Sequence, residues 1–278
     1  MELKSFIQNA LEEDIGNGDH TSLSTIPSDK SGIAKLLVKE DGILSGLELA
    51  LEIFNEVDPL LESTVYSVDG DQIKKGDILL DVTGSVRSIL KAERLVLNCM
   101  QRMCGIATTT NKYVQAVSGT SARIMDTRKT TPLLRSIEKW AVKTGGGYNH
   151  RFGLFDMILI KDNHVDSAGG IKEALFRAKD YLEKNKMSLP IEIETRNHSE
   201  IEEALSTGIP NRIMFDNFTP EETLIAINLV SGSIETESSG GITILNVRDY
   251  AITGVDCISV GALTHSVKSL DLSLKIQK

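Results

Sequence analysis

The 278-residue chain contains few of the residues that mark several protein classes. It has 6 prolines and 3 cysteines, and 5% of its residues are aromatic. Scarce proline argues against proline-rich linkers. An odd number of cysteines without metal-ligand spacing argues against a disulfide framework or a zinc site. Apolar runs such as 157–160 are far shorter than the ~20 residues of a membrane helix. No secretory signal is visible, so we expect a globular cytoplasmic protein that contacts no membrane.

The charge of the chain is also one-sided. The formal net charge is −9, which argues against general binding to nucleic acid. The stretch from Arg123 to Lys161 is the exception, because it holds eight basic and three acidic residues and carries +5, leaving −14 for the rest. A solvated surface is the ordinary explanation of such a run. Because these basic residues flank glycines and strand ends, a small, highly anionic ligand is the better interpretation.

The first third of the chain predicts an α+β domain. Helical spacing is present at 5–13 and 47–57, and strand-like segments with turn glycines occupy 32–39, 65–68 and 78–82. A long helical stretch follows over 87–117, with a break expected near Gly105. We assign residues 1–107 to an N-terminal α+β domain and expect the tail, 267–278, to return to it.

The pattern then changes to strands that alternate with helices. The candidate strands are 123–126, 157–161, 191–194, 212–215, 233–237 and 257–260. The last four are separated by steps of 21 to 23 residues, which is typical of βα units in a parallel sheet. Six units are too few for a full eight-stranded barrel. The fold class is therefore α/β, with residues 108–266 forming an open, incomplete α/β barrel.

Polar residues cluster at the expected carboxyl ends of these strands, where α/β barrels carry their chemistry. Cationic groups suited to carboxylate or phosphate are Arg128, Lys129, His150, Arg151 and Lys161. Glu194 and Asp216 offer oxygen ligands for Mg²⁺ or face a developing positive charge. The Gly240–Gly241 pair suits phosphate binding through backbone N–H groups. Each position alone is compatible with helix capping. Together they predict transfer of a phosphorylated sugar to an acidic acceptor.

Several motifs resemble those of the quinolinate phosphoribosyltransferase family. They are DTRKTTP at 126–132, Glu138-Lys139, the glycines 145–147, Asn149-His150-Arg151, LIKDNH at 159–164, Ser239-Gly240-Gly241-Ile242 and GALTH at 261–265. The resemblance runs nearly from end to end of the chain. It implies that quinolinate and phosphoribosyl pyrophosphate are converted, with Mg²⁺, to nicotinate mononucleotide, pyrophosphate and CO₂ in NAD biosynthesis.

The resemblance also implies roles for individual residues. Arg102, Arg128, His150, Arg151 and Lys161 would surround the quinolinate carboxylates. Lys129, Glu194 and Asp216 would serve phosphoribosyl pyrophosphate and its metal, and Ser239, Gly240, Gly261 and His265 would hold the 5′-phosphate. Glu194, Asp216, Lys129 and Lys161 are the expected catalytic residues. Family members are homodimers with shared sites, and Lys39 stands where an arginine is expected to reach the neighbour's site. From the residues alone, Arg102 and Lys39 are ordinary surface positions.

Three other functions remain open at this point. Lys161 at a strand end would also suit a lyase or aldolase that forms a Schiff base, although the arginines would then have no purpose. A paralogue associated with molybdate transport shares the fold and many motifs. A non-catalytic ligand-binding protein is the third class, but Glu194 and Asp216 would weaken anion binding there.

Overall fold

The computed structural model describes residues 3–277. The chain forms two compact units. The first comprises the residues up to Asn111, Thr131–Gly146 and the segment from Ser266, and the second comprises Lys112–Thr130 and Gly147–His265. The boundaries expected from the sequence differ for residues 131–146, which belong to the first unit. Glu138 in this segment forms an ion pair with Arg102, which explains the association.

Eleven helices and twelve strands are assigned within residues 3–277. The helices are α1 (Leu3–Ile15), α2 (His20–Thr25), α3 (Leu47–Val57), α4 (Val86–Ala116), α5 (Arg135–Thr144), α6 (Asp162–Ala168), α7 (Ile171–Asn185), α8 (His198–Thr207), α9 (Pro220–Val230), α10 (Val247–Ala251) and α11 (Ala262–His265). The strands are β1 (Ser31–Val38), β2 (Gly42–Ile43), β3 (Glu62–Val65), β4 (Gln72–Ile73), β5 (Ile78–Ser85), β6 (Arg123–Met125), β7 (Ile158–Ile160), β8 (Ile191–Thr195), β9 (Arg212–Asp216), β10 (Glu235–Ser239), β11 (Cys257–Ser259) and β12 (Leu272–Ile276).

The first unit is built on an antiparallel sheet of order β12-β1-β5-β3. Strand β1 alternates, since Ala34, Leu36 and Val38 are buried while the residues between them are not. Helix α3 buries a stripe that includes Ile53 and Phe54, as expected of an amphipathic helix. The C-terminal strand β12 pairs with β1, so the tail of the chain completes this sheet.

The long helix α4 is continuous, so the expected break near Gly105 is wrong. A Cβ atom at Gly105 would lie 2.3 Å from the backbone oxygen of Lys268. The glycine is therefore needed for the close approach of the C-terminal segment and does not interrupt the helix. Charged side chains recur along α4.

A search of all the helices in residues 3–277 finds none that combines the length and the apolar character of a membrane span.

The second unit confirms the open α/β barrel predicted from the strand spacing. Its six strands are all parallel and follow the order β6-β11-β10-β9-β8-β7. Strands β6 and β7 are the two edges, so the barrel is not closed. Because side chains alternate along a strand, every second residue of these six strands lies on the same face of the sheet.

Candidate active site

A cavity of about 530 Å³ lies in the second unit. Nine of the site residues predicted from the sequence line it: Arg128, Lys129, His150, Arg151, Lys161, Glu194, Asp216, Ser239 and Gly240. The other lining residues are Thr127, Leu159, Met214, Asn217, Glu237, Gly241 and Ser259. We call the charged residues at the strand ends the rim: Arg128, Lys129, Arg151, Lys161, Glu194 and Asp216.

The parallel strands explain why acidic and hydroxyl groups meet at this cavity. Asp216 and Ser239 are the last residues of β9 and β10 and are partners in the strand register. Glu194, near the end of β8, is the partner of Met214 in β9. Because carboxyl ends of parallel strands meet at one edge, Glu194, Asp216 and Ser239 come together from three neighbouring strands.

Arg151 forms a cationic wall of the cavity. It is 8% exposed, and its Nη1 donates a hydrogen bond of 3.2 Å to the backbone oxygen of Met157. Its Nε is buried and has no hydrogen-bond partner among the described residues. Burial, and then the charge of Arg128, lower the pKa of Arg151. A buried N–H without an acceptor is costly, so this group is suited to an anionic acceptor supplied by a ligand.

Lys161 and Glu194 form an ion pair in the lining of the same cavity. Lys161 Nζ lies 2.7 Å from Glu194 Oε2, and the Glu194 side chain is 7% exposed. Lys161 directly precedes α6 and is fixed locally, because its backbone N–H donates to His164 Nδ1. Lys161 Nζ is engaged by Glu194, whereas a Schiff base requires an amine that is free to attack a carbonyl carbon. The lyase alternative is therefore disfavoured.

Gly240 is held against Asn217 at the end of β9. Asn217 has a positive φ of 58°, and its Nδ2 donates to Asp216 Oδ2 at 2.7 Å. A Cβ atom at Gly240, whose φ is +91°, would lie 2.2 Å from Asn217 Oδ1. At Gly241, with a φ of +62°, it would meet nothing within 4 Å. Packing against Asn217 thus requires glycine at 240, whereas Gly241 needs only its backbone conformation.

Gly261 and His265 are not lining residues of the cavity but lie beside Lys129, which is one. A Cβ atom at Gly261 would be 3.0 Å from Lys129 Cδ and 3.1 Å from His265 Nε2. The hydroxyl of Thr264 donates to the backbone oxygen of Lys129 at 2.8 Å. The loop after β11 is therefore joined to the loop after β6.

Two further predicted site residues, Arg102 and Lys39, belong to the first unit. Arg102 donates from Nε and Nη2 to Glu138 Oε1, at 3.1 and 2.9 Å. Glu138 is fully buried, and its Oε2 accepts the backbone N–H of Thr131. Arg102 is thus a half-buried, oriented residue and not the plain surface residue that its sequence context favoured. Lys39 is exposed.

Beneath the cavity lies a cluster of charged residues that we call the interior network. His150, Glu192 and Glu237 are buried, and the half-buried Arg212, Glu235 and Arg123 complete it. His150 Nε2 is 3.0 Å from Glu192 Oε2 and 3.5 Å from Glu237 Oε2. Arg212 Nη1 is 3.0 Å from Glu237 Oε2 and 3.6 Å from Glu192 Oε2. Glu235 pairs with both Arg212 and Arg123. Three basic residues thus balance three carboxylates.

His150 accepts a hydrogen bond at Nδ1, and its Nε2 faces two carboxylates. Burial lowers its pKa, but the two carboxylates outweigh burial and raise the pKa of His150 to about 9. Burial and the charge of Glu237 also raise the pKa of Glu192. The backbone N–H of Arg151 donates to His150 Nδ1 at 2.7 Å, so the proton shared with the carboxylates lies on the Nε2 side.

Comparisons with known proteins identify the family. Residues 106–275 match the model for the C-terminal domain of quinolinate phosphoribosyl transferase, and residues 19–104 match the model for its N-terminal domain. The chain belongs to the quinolinate phosphoribosyltransferase family. It is 48% identical over 290 residues to quinolinate phosphoribosyltransferase (decarboxylating) 1b of Nicotiana tabacum, across 99% of this chain and 82% of that protein.

Bacterial relatives agree with this assignment. The chain is 42% identical to a probable nicotinate-nucleotide pyrophosphorylase (carboxylating) of Bacillus subtilis, across 99% of this chain and 94% of the relative. The crystal structure of NadC from Streptococcus pyogenes matches with a TM-score of 0.93 at 36% identity, covering 99% of this chain and 97% of that one. The family resemblance inferred from the sequence motifs is therefore confirmed.

The sequence pattern did not identify Glu192 and Arg212 as site residues, and it placed Glu237 at the end of a strand. The expected strand ended at Glu237, which would put that residue at the rim. Strand β10 runs two residues further to Ser239, so Glu237 is fully buried and forms part of the cavity floor. One signal was available, because alternation in the fully buried strand β8 puts Glu192 on the same face as Glu194.

Two sets of carboxylates have the chemistry of metal ligands. His150, Glu192 and Glu237 are the one group within residues 3–277 in which three ligand atoms lie within 4.8 Å of one another. Arg212 already supplies a cation to both carboxylates, so this group does not fit a metal ion. Glu194 and Asp216 line the cavity and offer oxygen ligands. Lys161 already pairs with Glu194, but both carboxylates line the cavity, where water and substrate phosphates can reach them. Because Mg²⁺ binds through one or two carboxylates together with such ligands, these two residues fit it.

Proposed function

We propose that the chain transfers a phosphoribosyl group from phosphoribosyl pyrophosphate to quinolinate, with release of pyrophosphate and CO₂, to give nicotinate mononucleotide for NAD biosynthesis. One observation carries this proposal. Nine residues that the family motifs assign to the two substrates line a single cavity, although they come from separate segments between 128 and 240. Membership of the family over 99% of the chain supports the same reaction.

Quinolinate, the acceptor, would bind basic residues of the rim. The two quinolinate carboxylates would meet Arg128 and Arg151, with Lys161 beside them and His150 behind. Arginine offers a planar fork for a carboxylate, and the unsatisfied Nε of Arg151 is suited to receive an oxygen atom. Fixing both carboxylates orients the ring nitrogen for attack on the ribose.

Phosphoribosyl pyrophosphate, the donor, would bind the remaining rim residues and the loops after β10 and β11. Lys129, Ser239, Gly240, Gly261 and His265 would hold the phosphates of phosphoribosyl pyrophosphate. As the bond between ribose C1 and pyrophosphate breaks, positive charge develops on the sugar, and the carboxylates of Glu194 and Asp216 stabilise it. Bound Mg²⁺, held by the same two residues, would supply charge neutralisation for the leaving pyrophosphate.

The decarboxylation follows from the transfer. Once the ring nitrogen has formed its bond to C1, it is positively charged and adjacent to the carbon that bears the 2-carboxylate. The bond to this carboxylate breaks, CO₂ leaves, and the electron pair stays on C2 beside the cationic nitrogen. A proton then adds to C2. No protein nucleophile is needed, in accord with the paired state of Lys161.

We also propose a homodimer whose sites take Lys39 from the neighbouring subunit. Lys39 lies outside the unit that holds the cavity, and so does Arg102, which is oriented by the buried Glu138. Two carboxylates and several phosphates require more cations than the rim supplies. Lysine at position 39 provides the charge without the fork of arginine.

Mixing two inactive variants tests the shared site. Lys39→Glu and Arg128→Ala would each be inactive alone, while a mixed dimer has one site with both changes and one with neither. Activity should return to about one intact site per mixed dimer. Demonstrated subunit exchange without recovery would assign Lys39 to its own chain or to no site.

A reducing compartment such as the cytoplasm is the proposed location. Cys99, Cys104 and Cys257 are all buried free thiols, and burial raises the pKa of each to about 12. Protonated thiols are unreactive, and all three cysteines are free, as expected of a protein in a reducing compartment.

The reaction itself is tested by incubating the purified chain with quinolinate, phosphoribosyl pyrophosphate and Mg²⁺ and measuring the products by mass spectrometry. Nicotinate and other pyridine carboxylates serve as competing acceptors, and Arg128→Ala serves as the control. Nicotinate mononucleotide and CO₂ should form when quinolinate is the acceptor, and the competing acceptors should give no product. The proposal is overturned if quinolinate gives no product, or if nicotinate is the accepted substrate.

A further inference from the structure

The interior network contains carboxylates that the proposed reaction does not use. Glu192 and Glu237 are 0% exposed, yet Glu237 reaches the floor of the cavity. They lie on β8 and β10, and Arg212 lies on β9 between them. Burying like charges next to a binding site for anions opposes binding unless the charges have another use.

Their contacts converge on one ring. Glu192 Oε2 and Glu237 Oε2 both face His150 Nε2, at 3.0 and 3.5 Å. The same two oxygens face Arg212 Nη1, which fixes the carboxylates from the other side. The His150 ring is thus positioned by two strands of the sheet and not by its own loop alone.

The ring in turn positions the main chain that follows it. The backbone N–H of His150 donates to Asp126 Oδ1 at 2.9 Å, and the backbone N–H of Arg151 donates to His150 Nδ1 at 2.7 Å. These two hydrogen bonds determine where the Arg151 side chain leaves the backbone. That side chain then lies buried with Nη1 on Met157 and Nε directed to no protein acceptor within residues 3–277.

We propose that Glu192 and Glu237, fixed by Arg212, are positioning residues that hold the His150 ring and thereby set the direction of the Arg151 guanidinium at the cavity. The inference rests on the proposed function, because it assigns Arg151 to a quinolinate carboxylate. It also gives His150 a different task from the one implied by the family motifs. The ring acts on the substrate through Arg151, since both of its nitrogens are directed to protein groups.

The test compares three isosteric variants that each remove one carboxylate charge. Glu237→Gln and Glu192→Gln change the two positioning residues. Glu200→Gln is the matched control, because it removes the same charge from a carboxylate on α8 that pairs with Arg196, outside the interior network. Thermal unfolding identifies variants that fold, and steady-state kinetics give KM and kcat for each substrate separately.

Loss of positioning should appear in acceptor binding. We expect Glu237→Gln and Glu192→Gln to raise the KM for quinolinate about tenfold or more, with kcat and the KM for phosphoribosyl pyrophosphate changed less than about threefold. Glu237→Asp should restore part of the affinity. Glu200→Gln should leave the quinolinate KM within about twofold. A general structural defect would instead lower kcat and the unfolding temperature without this selectivity.

Two results would overturn the inference: an unchanged quinolinate KM in folded Glu237→Gln and Glu192→Gln, or an equal rise in Glu200→Gln. An inactive wild-type protein would instead refute the proposed function. In that case a crystal structure of Glu237→Gln decides the inference, because the His150 ring should move and the hydrogen bond from Arg151 to Met157 should break. An unmoved ring and guanidinium would contradict it.

Discussion

The rim and the interior network both consist of charged side chains in the same barrel, but their charges are arranged differently. At the rim, four basic residues face two carboxylates around a cavity. In the interior network, three basic residues and three carboxylates pair with one another. The excess of positive charge marks where an anionic ligand fits, whereas the balanced set below it keeps groups in place.

The rim and the interior network also differ in how fully their arginines are paired. Arg151 at the rim has a buried Nε without a protein acceptor. Arg212 in the interior contacts three carboxylates. Loss of a rim cation should therefore reduce substrate affinity and turnover, while changes in the interior should act through position and stability.

The largest effect is expected from removing a rim cation. Arg151→Ala should lower kcat/KM for quinolinate by about 100-fold or more, because a charge-assisted hydrogen bond contributes about 1.5–3 kcal/mol and Arg151 offers more than one. Steady-state kinetics check this. The control is Arg196→Ala, since Arg196 is exposed and pairs with Asp166 and Glu200. Equal activity in the two variants would remove Arg151 from the site.

A change on the acidic side of the rim should separate transfer from acceptor binding. Asp216→Asn keeps the shape of the side chain but loses the charge proposed to stabilise the sugar. We expect kcat to fall about 10- to 100-fold while calorimetric affinity for quinolinate stays within about threefold. A matching loss of quinolinate affinity would place Asp216 on the wrong substrate.

Backbone constraints at the rim should have a smaller effect. Gly240→Ala brings a Cβ atom against Asn217 and is expected to lower the free energy of unfolding by about 1–3 kcal/mol. Gly241→Ala carries the cost of a positive φ without a clash, so it should be milder. Chemical denaturation measures both. Equal losses would show that packing against Asn217 is unimportant.

The smallest effect should be a pH dependence from the interior network. His150, facing Glu192 and Glu237, has a folded pKa of about 9, above its ordinary value of 6.5. A raised pKa stabilises the fold fully below pH 6.5, and the contribution is lost as pH rises through 9. The contribution changes by about 1.4 kcal/mol for each pH unit in this range. Unfolding free energies should decline over this range, and His150→Asn should flatten the decline. A wild-type profile as flat as that of the variant would contradict the raised pKa.

Much of the barrel could be predicted because its signals are local. The regular spacing from Ile191 to Cys257 indicates repeated βα units, and turn-forming and polar residues mark the strand ends. Arg128, Lys161, Glu194 and Asp216 are adjacent to such ends. The topology then brings them to one cavity, so position in the sequence was sufficient to nominate them.

The remaining features depend on contacts between distant segments. Gly105 resembles a helix break until the backbone of Lys268 is known to lie against it. Residues 131–146 join the first unit through the pair of Glu138 with Arg102. Glu237 resembles a rim residue until the length of β10 is known. Local sequence cannot distinguish a buried, paired carboxylate from one that faces a substrate.

A crystal structure of the protein with quinolinate tests the distinction between the rim and the interior network most directly. We expect the ligand in the cavity at the strand ends, with one carboxylate oxygen accepting a hydrogen bond from Arg151 Nε and the other carboxylate near Arg128. The interior network should keep its present contacts. Quinolinate bound elsewhere, or bound in the cavity without contact to either arginine, would contradict the account.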